Sequence, residues 1–438
     1  MTLHDLVVPG FAARTEPYFR IPEIRAADPL GADAPLARLP AMNAAADVPA
    51  LAAALRALLP EPEDVARYDV PHALAAMRDL GMFLGSLKRH GTEPVAAVPY
   101  VLPVLEHLGR ITDMVPRDTV HHYTTWNPPG ERLRTYTGLT AEARLQDAVR
   151  MVIPGLVAAL EHCAELAGLE PYDPGFATAL DRIADSLGAM VESIDFTIAH
   201  VPPVVFATDI RPYFEEIGVD GVDYLGPAAA QVPLWLVDLT LWQCDRSDRS
   251  YEQFLAESVR YTLPGWRAHY TAHRDGTSAV SKFSAAVSWE TEGGRPPAHL
   301  VRSGYSLVRV LRILKAFRAR HITVARKAYA EEVRLYDKGS GGAPLELLRA
   351  VLDLTRDNET FVRRAVEPAR AGGRARHDAC GPGDTCGSAA EGCACGGNDG
   401  PGRPGGDGGR NGGDGRDGRS RSRSVRRAGT GEAGETEQ

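Results

Sequence analysis

Residues 304–337, GYSLVRVLRILKAFRARHITVARKAYAEEVRLYD, carry the pattern that most restricts the fold. Leu307, Val310, Leu311, Leu314, Phe317, His321, Val324 and Ala328 recur at i, i+3, i+4, i+7 spacing, so they share one face of a long helix. Arg309, Arg312, Lys315, Arg320, Arg326 and Lys327 fall on the opposite face. An apolar stripe of that length has to be covered, and the rest of the chain offers helices to cover it. Asp47 before Val48-Pro49 and LAAALRALL gives an N-cap, an early proline and an apolar run in helical order. Pro71 opens a segment through Leu87, with Gly91 as its stop. Residues 141–168 read as a helix bent at Pro154, and 175–199 as one long amphipathic helix through Phe176, Leu180, Ile183, Leu187, Met190 and Ile194. No βαβ alternation, hairpin signal or internal repeat stands out, which predicts an all-α, multi-helix domain.

That domain spans 1–370. From Ala371 to Gln438 the chain holds 21 of its 44 glycines, and Val425 is its one large aliphatic residue, too little to offset backbone entropy. The second segment, 371–438, therefore reads as a disordered Gly/Arg/Asp-rich tail. Its four cysteines, Cys380, Cys386, Cys393 and Cys395, are spaced C-x5-C, C-x6-C and C-x-C, unlike the paired C-x2-C ligands of zinc ribbons. Cys163 and Cys244 stand singly in apolar stretches and read as buried thiols. A net charge of −8 argues against nucleic acid as a partner. With no secretory or membrane-spanning run apparent, a cytoplasmic location is expected.

His321 is the chemically informative residue. A neutral imidazole on an apolar face needs a partner for its ring nitrogens. A backbone carbonyl or water would serve, and so would an iron with imidazole as its axial ligand. Downstream, Tyr329 stands about 12 Å along the helix, and Gly339-Ser340-Gly341-Gly342 offers backbone N–H groups and a hydroxyl, donors suited to a carboxylate. No P-loop lysine follows. Gly81 and Gly85, four apart, leave a bare backbone strip for a close neighbour or a flat ligand.

Several stretches, AMRDLGMFLGSLKRHG (76–91), TTWNP (124–128), TYTGL (135–139), MVESI (190–194), DYLGPAAAQVPLW (223–235), FRARHITVARKAY (317–329) and GSGG (339–342), resemble the monodechloroaminopyrrolnitrin synthase family. The likeness runs in order over about residues 35–365. The last two motifs are also similar, more distantly, to the tryptophan and indoleamine 2,3-dioxygenases. The resemblance implies the all-α fold of that superfamily and a haem b cofactor, with dioxygen or peroxide as oxidant. It implies His321 as proximal iron ligand, and Tyr329, Ser340, Gly341 and Gly342 as the substrate-binding set. Arg326 and Lys327 become candidates to meet the haem propionates, although these families usually show arginine where Lys327 stands. Phe83, Trp126, Tyr136 and Trp235 are candidate pocket walls. No distal acid–base group stands out; His90, His121 and His122 are nearest, and solvent exposure is expected for each. The implied reaction converts 7-chloro-L-tryptophan, or tryptophan, to an aminophenylpyrrole with loss of carbon dioxide and two hydrogens. A related haem oxygenase hydroxylating or cleaving an aromatic amino acid is a second reading, and a non-catalytic haem-binding or helical scaffold a third. The partner is a small aromatic amino acid; a homodimer and an external electron donor are both compatible with the resemblance.

Overall fold

A computed structural model describes residues 16–228, 231–291, 296–328 and 342–367, all within one compact unit that runs to Gly373. The tail from 371 onward, with its four cysteines, lies outside the described residues. The described chain is all-α apart from two three-residue strands.

The N-terminal helices form where the sequence places them. Helix α1 (Val48–Ala57) starts on Asp47, whose carboxylate accepts the Ala50 N–H at 3.0 Å. Helix α2 (Val70–Arg89) is capped by Asp69, and Gly91 follows it at φ +75°, a left-handed stop. With α3 (Val101–Thr112), these enclose one core that includes Phe83, Tyr123, Tyr136, Tyr213 and Phe214.

The second core belongs to a bundle. Helix α4 (Thr140–Ala167) carries Pro154 in its interior. The predicted helix over 175–199 is two helices, α5 (Pro174–Ser186) and α6 (Gly188–His200). The break falls at Gly188, a poor helix former, where the Ser186 carbonyl lies against Gly155 of α4. The apolar spacing continues through the break, because Leu187 remains buried, so periodicity alone conceals it. Further on come α7 (Leu234–Asp238), α8 (Arg249–Ser258), α9 (Pro264–His273), α10 (Ala279–Thr291), α11 (Ala298–Ala328) and α12 (Leu345–Val366). Helix α11 packs chiefly against α12, α5 and α6. Its predicted face is the buried one: Leu307, Val310, Leu311 and Leu314 are fully buried. At 25 cal/mol per Å² of apolar area, each such side chain contributes about 1.5–3 kcal/mol.

The sequence reading misses a hairpin. Ile217–Val219 (β1) and Val222–Tyr224 (β2) pair antiparallel, with Val219 opposite Val222. Asp220 and Gly221 between them have φ of +50° and +73°, as a type I′ turn requires. Strands of three residues are too short to show alternation, so the Asp-Gly dipeptide is the only available signal.

Candidate functional site

A cavity of about 340 Å³ lies between the two cores, within the size range of small-ligand pockets. Its floor and sides come from α4, α6, α7, α8, α11 and α12, together with Tyr123, Phe214 and Pro227. The lining is overwhelmingly aliphatic and aromatic. A larger depression near Tyr172, Lys282 and Trp289 opens broadly to solvent, with Trp289 itself 76% exposed, and is a surface groove.

His321 lines the cavity from α11. Its ring stacks on Phe317 at 5.8 Å, one turn earlier. Neither ring nitrogen makes a hydrogen bond among the described residues. Burial, and then the Arg318 guanidinium, hold its pKa below the ordinary value, so the imidazole is neutral with a lone pair to offer. The ring keeps some accessible surface, and it is as cavity wall that it does so.

Arg318 is the one cationic side chain in the described wall. It pairs with Asp238 of α7 and donates to Thr355 of α12, while Tyr251 of α8 donates to the same Asp238 oxygen at 2.6 Å. Asp238 is fully buried and the Arg318 side chain is 9% exposed. Burial pushes the Asp238 carboxyl up and the guanidinium partly offsets it. Four helices thereby hold one charge in place beside the imidazole.

The hydroxyls of the wall are also committed, whereas the buried Trp235 indole N–H has no acceptor among the described residues. Thr124 donates to the Val120 carbonyl, Ser193 to Ala148 and Thr197 to Ser193. Tyr123 donates to Glu142 of α4 at 2.9 Å. What the described wall presents to an occupant is apolar surface, one imidazole, one anchored guanidinium, the Trp235 indole and hydroxyls whose protons are already given to the protein.

A family comparison matches residues 26–371 to "Monodechloroaminopyrrolnitrin synthase PrnB". The chain belongs to that family. It is therefore an enzyme of the pyrrolnitrin-forming type, and the PrnB match covers nearly all of the described structure while stopping where the glycine-rich tail begins.

Within this chain the candidate residues separate. Trp235 lines the cavity; Phe83, Trp126 and Tyr136 do not. Phe83 and Tyr136 lie in the N-terminal core, and Trp126 is boxed by Tyr18, His121 and His122. His121 and His122 are buried rather than exposed, because both rings pack on Trp126. Burial drives the His121 pKa down to about 4, and that of His122 well below its ordinary value. His90 is partly buried beside Asn43, away from the cavity. Arg326 and Lys327 are exposed on the outer face of α11 and do not line the cavity. The rest of the basic stripe is engaged by acids of neighbouring helices: Arg309 by Asp185, Arg312 and Lys315 by Glu359, Arg320 by Asp195. Arg318 escapes the sequence reading because an arginine on an apolar face looks like a flaw in the stripe; its position three before His321 is the available clue.

Tyr329, Ser340 and Gly341 lie outside the described residues. Their flanks are described: Ala328, Ala343 and Leu345 all line the cavity, and Gly342 sits at φ +79° against Leu225. The Gly81–Gly85 strip receives a close neighbour, the Asp118 carboxyl over Gly81 and the Tyr136 hydroxyl over Gly85. Among the described residues no helix is long and apolar enough by itself to cross a membrane, and no group of three or more His, Cys, Asp or Glu could hold a bare metal ion.

Proposed function

We propose that this enzyme catalyses the haem-dependent oxidative decarboxylation and ring rearrangement of 7-chloro-L-tryptophan, or of tryptophan itself, to an aminophenylpyrrole. The observation that supports it is His321: a neutral imidazole, free of hydrogen bonds among the described residues, in the wall of an apolar cavity. A single imidazole suits a metal whose other ligands come with its cofactor, and haem is that cofactor. Bound haem b supplies the redox chemistry, with dioxygen or peroxide as oxidant.

The residues fit this group. His321 would hold the iron through a ring nitrogen, and the aliphatic wall would exclude water from a flat macrocycle and an indole alike. Arg318, held by Asp238, offers a fixed cation to a carboxylate in the cavity, a role that the outward-facing Arg326 and Lys327 are poorly placed to fill. Trp235 is positioned to flank an aromatic ring. In this reading Ser340, Gly341 and Gly342, with Tyr329, meet the amino-acid end of the substrate, since the segment bearing them leaves and rejoins the described chain at the cavity wall.

His321→Ala tests the assignment. Purified with haem supplied, the variant is expected to lose the Soret band, and mass spectrometry of wild-type reactions with tryptophan and 7-chlorotryptophan is expected to show products lacking carbon dioxide and two hydrogens. Full haem occupancy with an unchanged spectrum in His321→Ala would overturn the ligand assignment.

A further inference from the structure

Two phenol–carboxylate pairs border the cavity, and they differ in charge. Tyr251 donates to Asp238, whose carboxylate is already neutralised by Arg318. Tyr123 donates to Glu142 Oε1 at 2.9 Å, and Glu142 has a different set of partners. It accepts the Tyr136 N–H at 2.7 Å, the Thr137 N–H at 2.8 Å and the Thr137 hydroxyl at 2.6 Å, all neutral donors. No cation pairs with it among the described residues. Glu142 is completely buried and Tyr123 is 4% exposed.

We propose that Tyr123, backed by Glu142, is the proton-transfer group of the cavity: the phenol oxygen accepts a proton from the bound amino acid while its own proton passes to Glu142 Oε1. The substrate loses one proton, Glu142 gains one, and no electrons move within the pair. The step rests on the functional reading above, in which two hydrogens leave the substrate. By elimination the described wall has no better proton acceptor: His321 is assigned to iron, Tyr251 leans on a neutralised carboxylate, and the hydroxyls of Thr124, Ser193 and Thr197 donate to helix carbonyls. Burial raises the Glu142 pKa and makes it a stronger base than an exposed carboxylate.

The surroundings keep the pair isolated from other charges. Tyr136 stacks on Tyr123 at 5.8 Å and Phe214 meets it edge-on at 5.1 Å. The Gln146 side chain of α4 is within hydrogen-bonding reach of the phenol, and Arg150, whose charge reaches Tyr123, is engaged by Asp147. Beyond Tyr136 stand Tyr213 and the Arg117–Asp118 pair. Glu142 also holds the loop before α4 through the Tyr136 and Thr137 amides, a purely structural task. Tyr123→Phe separates the two roles, because it leaves those amide bonds untouched.

Haem-loaded Tyr123→Phe is expected to keep its Soret band and its spectral Kd for tryptophan, to hold KM within about threefold, and to lose kcat by about 100-fold or more. Glu142→Gln should follow it and should also lose the acidic limb of the kcat–pH profile. In protein labelled with 3-fluorotyrosine, the 19F resonance missing from Tyr123→Phe should move when tryptophan fills the cavity of the ferrous, carbon monoxide-bound form. An unchanged kcat in Tyr123→Phe, or a fall accompanied by loss of haem or of tryptophan binding, overturns the proposal. If wild-type protein neither binds haem nor forms product, the functional reading fails instead.

Discussion

Replacing Asp238 with asparagine isolates the energetics that fix Arg318 beside His321. The substitution keeps the shape of the side chain and removes its charge, leaving a guanidinium that is 9% exposed with no anion in contact among the described residues. Breaking a buried ion pair from one side costs about 3–5 kcal/mol, because the surviving charge stays desolvated. The Tyr251 hydroxyl loses a charged acceptor as well, so the upper half of that range is expected. Neither partner is exposed enough for solvent to screen the effect. With an m value of about 3 kcal/mol/M in urea, a loss of 4 kcal/mol lowers the unfolding midpoint of haem-free protein by about 1.3 M. The double variant Asp238→Asn/Arg318→Met should recover most of that loss, since removing both charges also removes the uncompensated one. A single variant within about 1 kcal/mol of wild type, or a double variant as unstable as the single, would refute the idea that the pair is held as a buried charge couple.

Three further outcomes follow from other regions. His121 has its pKa moved from 6.5 to about 4 by burial, so the unfolded chain takes up a proton that the folded chain refuses. Stability is therefore intact above pH 6.5 and declines by about 3 kcal/mol as pH falls to 4, and urea midpoints for His121→Gln should vary less over that window. A methyl group at Gly85 would stand 2.6 Å from the Tyr136 hydroxyl and 2.8 Å from the Tyr213 carbonyl, so Gly85→Ala should cost about 1–3 kcal/mol by thermal melting. Truncation after residue 370 should leave turnover and haem content unchanged, in keeping with a family match that ends at 371; measurable loss of turnover would assign the tail a role.

Much of the bundle is legible in the chain because local rules and tertiary packing agree there. Asp47, Pro71 and Gly91 mark helix ends by their own chemistry, and the α11 stripe is continuous enough to place His321 on the inward face. The site is less legible, since its polar parts are assembled across long separations. Arg318 meets Asp238 from 80 residues away and Thr355 from 37, and nothing in the local pattern of any of the three announces the others. His121 and His122 look like polar loop residues until Trp126 folds against them. Phe83 and Tyr136 are as aromatic as Trp235, but belong to a different core, a distinction that depends on which helices pack together. Composition identifies buried rings without saying which cavity they face.

An enclosure whose described hydroxyls donate inward, to the protein itself, has mainly volume and shape by which to judge a ring. Apolar pockets reject a wrong-sized group by only about 1–3 kcal/mol per methylene-sized difference. Exchange of chlorine for hydrogen or bromine on the substrate should then alter turnover gradually. In the proposed reaction, the halogen pattern of the product would be set by whichever enzyme decorates the amino acid beforehand, and feeding this enzyme differently halogenated tryptophans becomes a direct route to a family of aminophenylpyrroles.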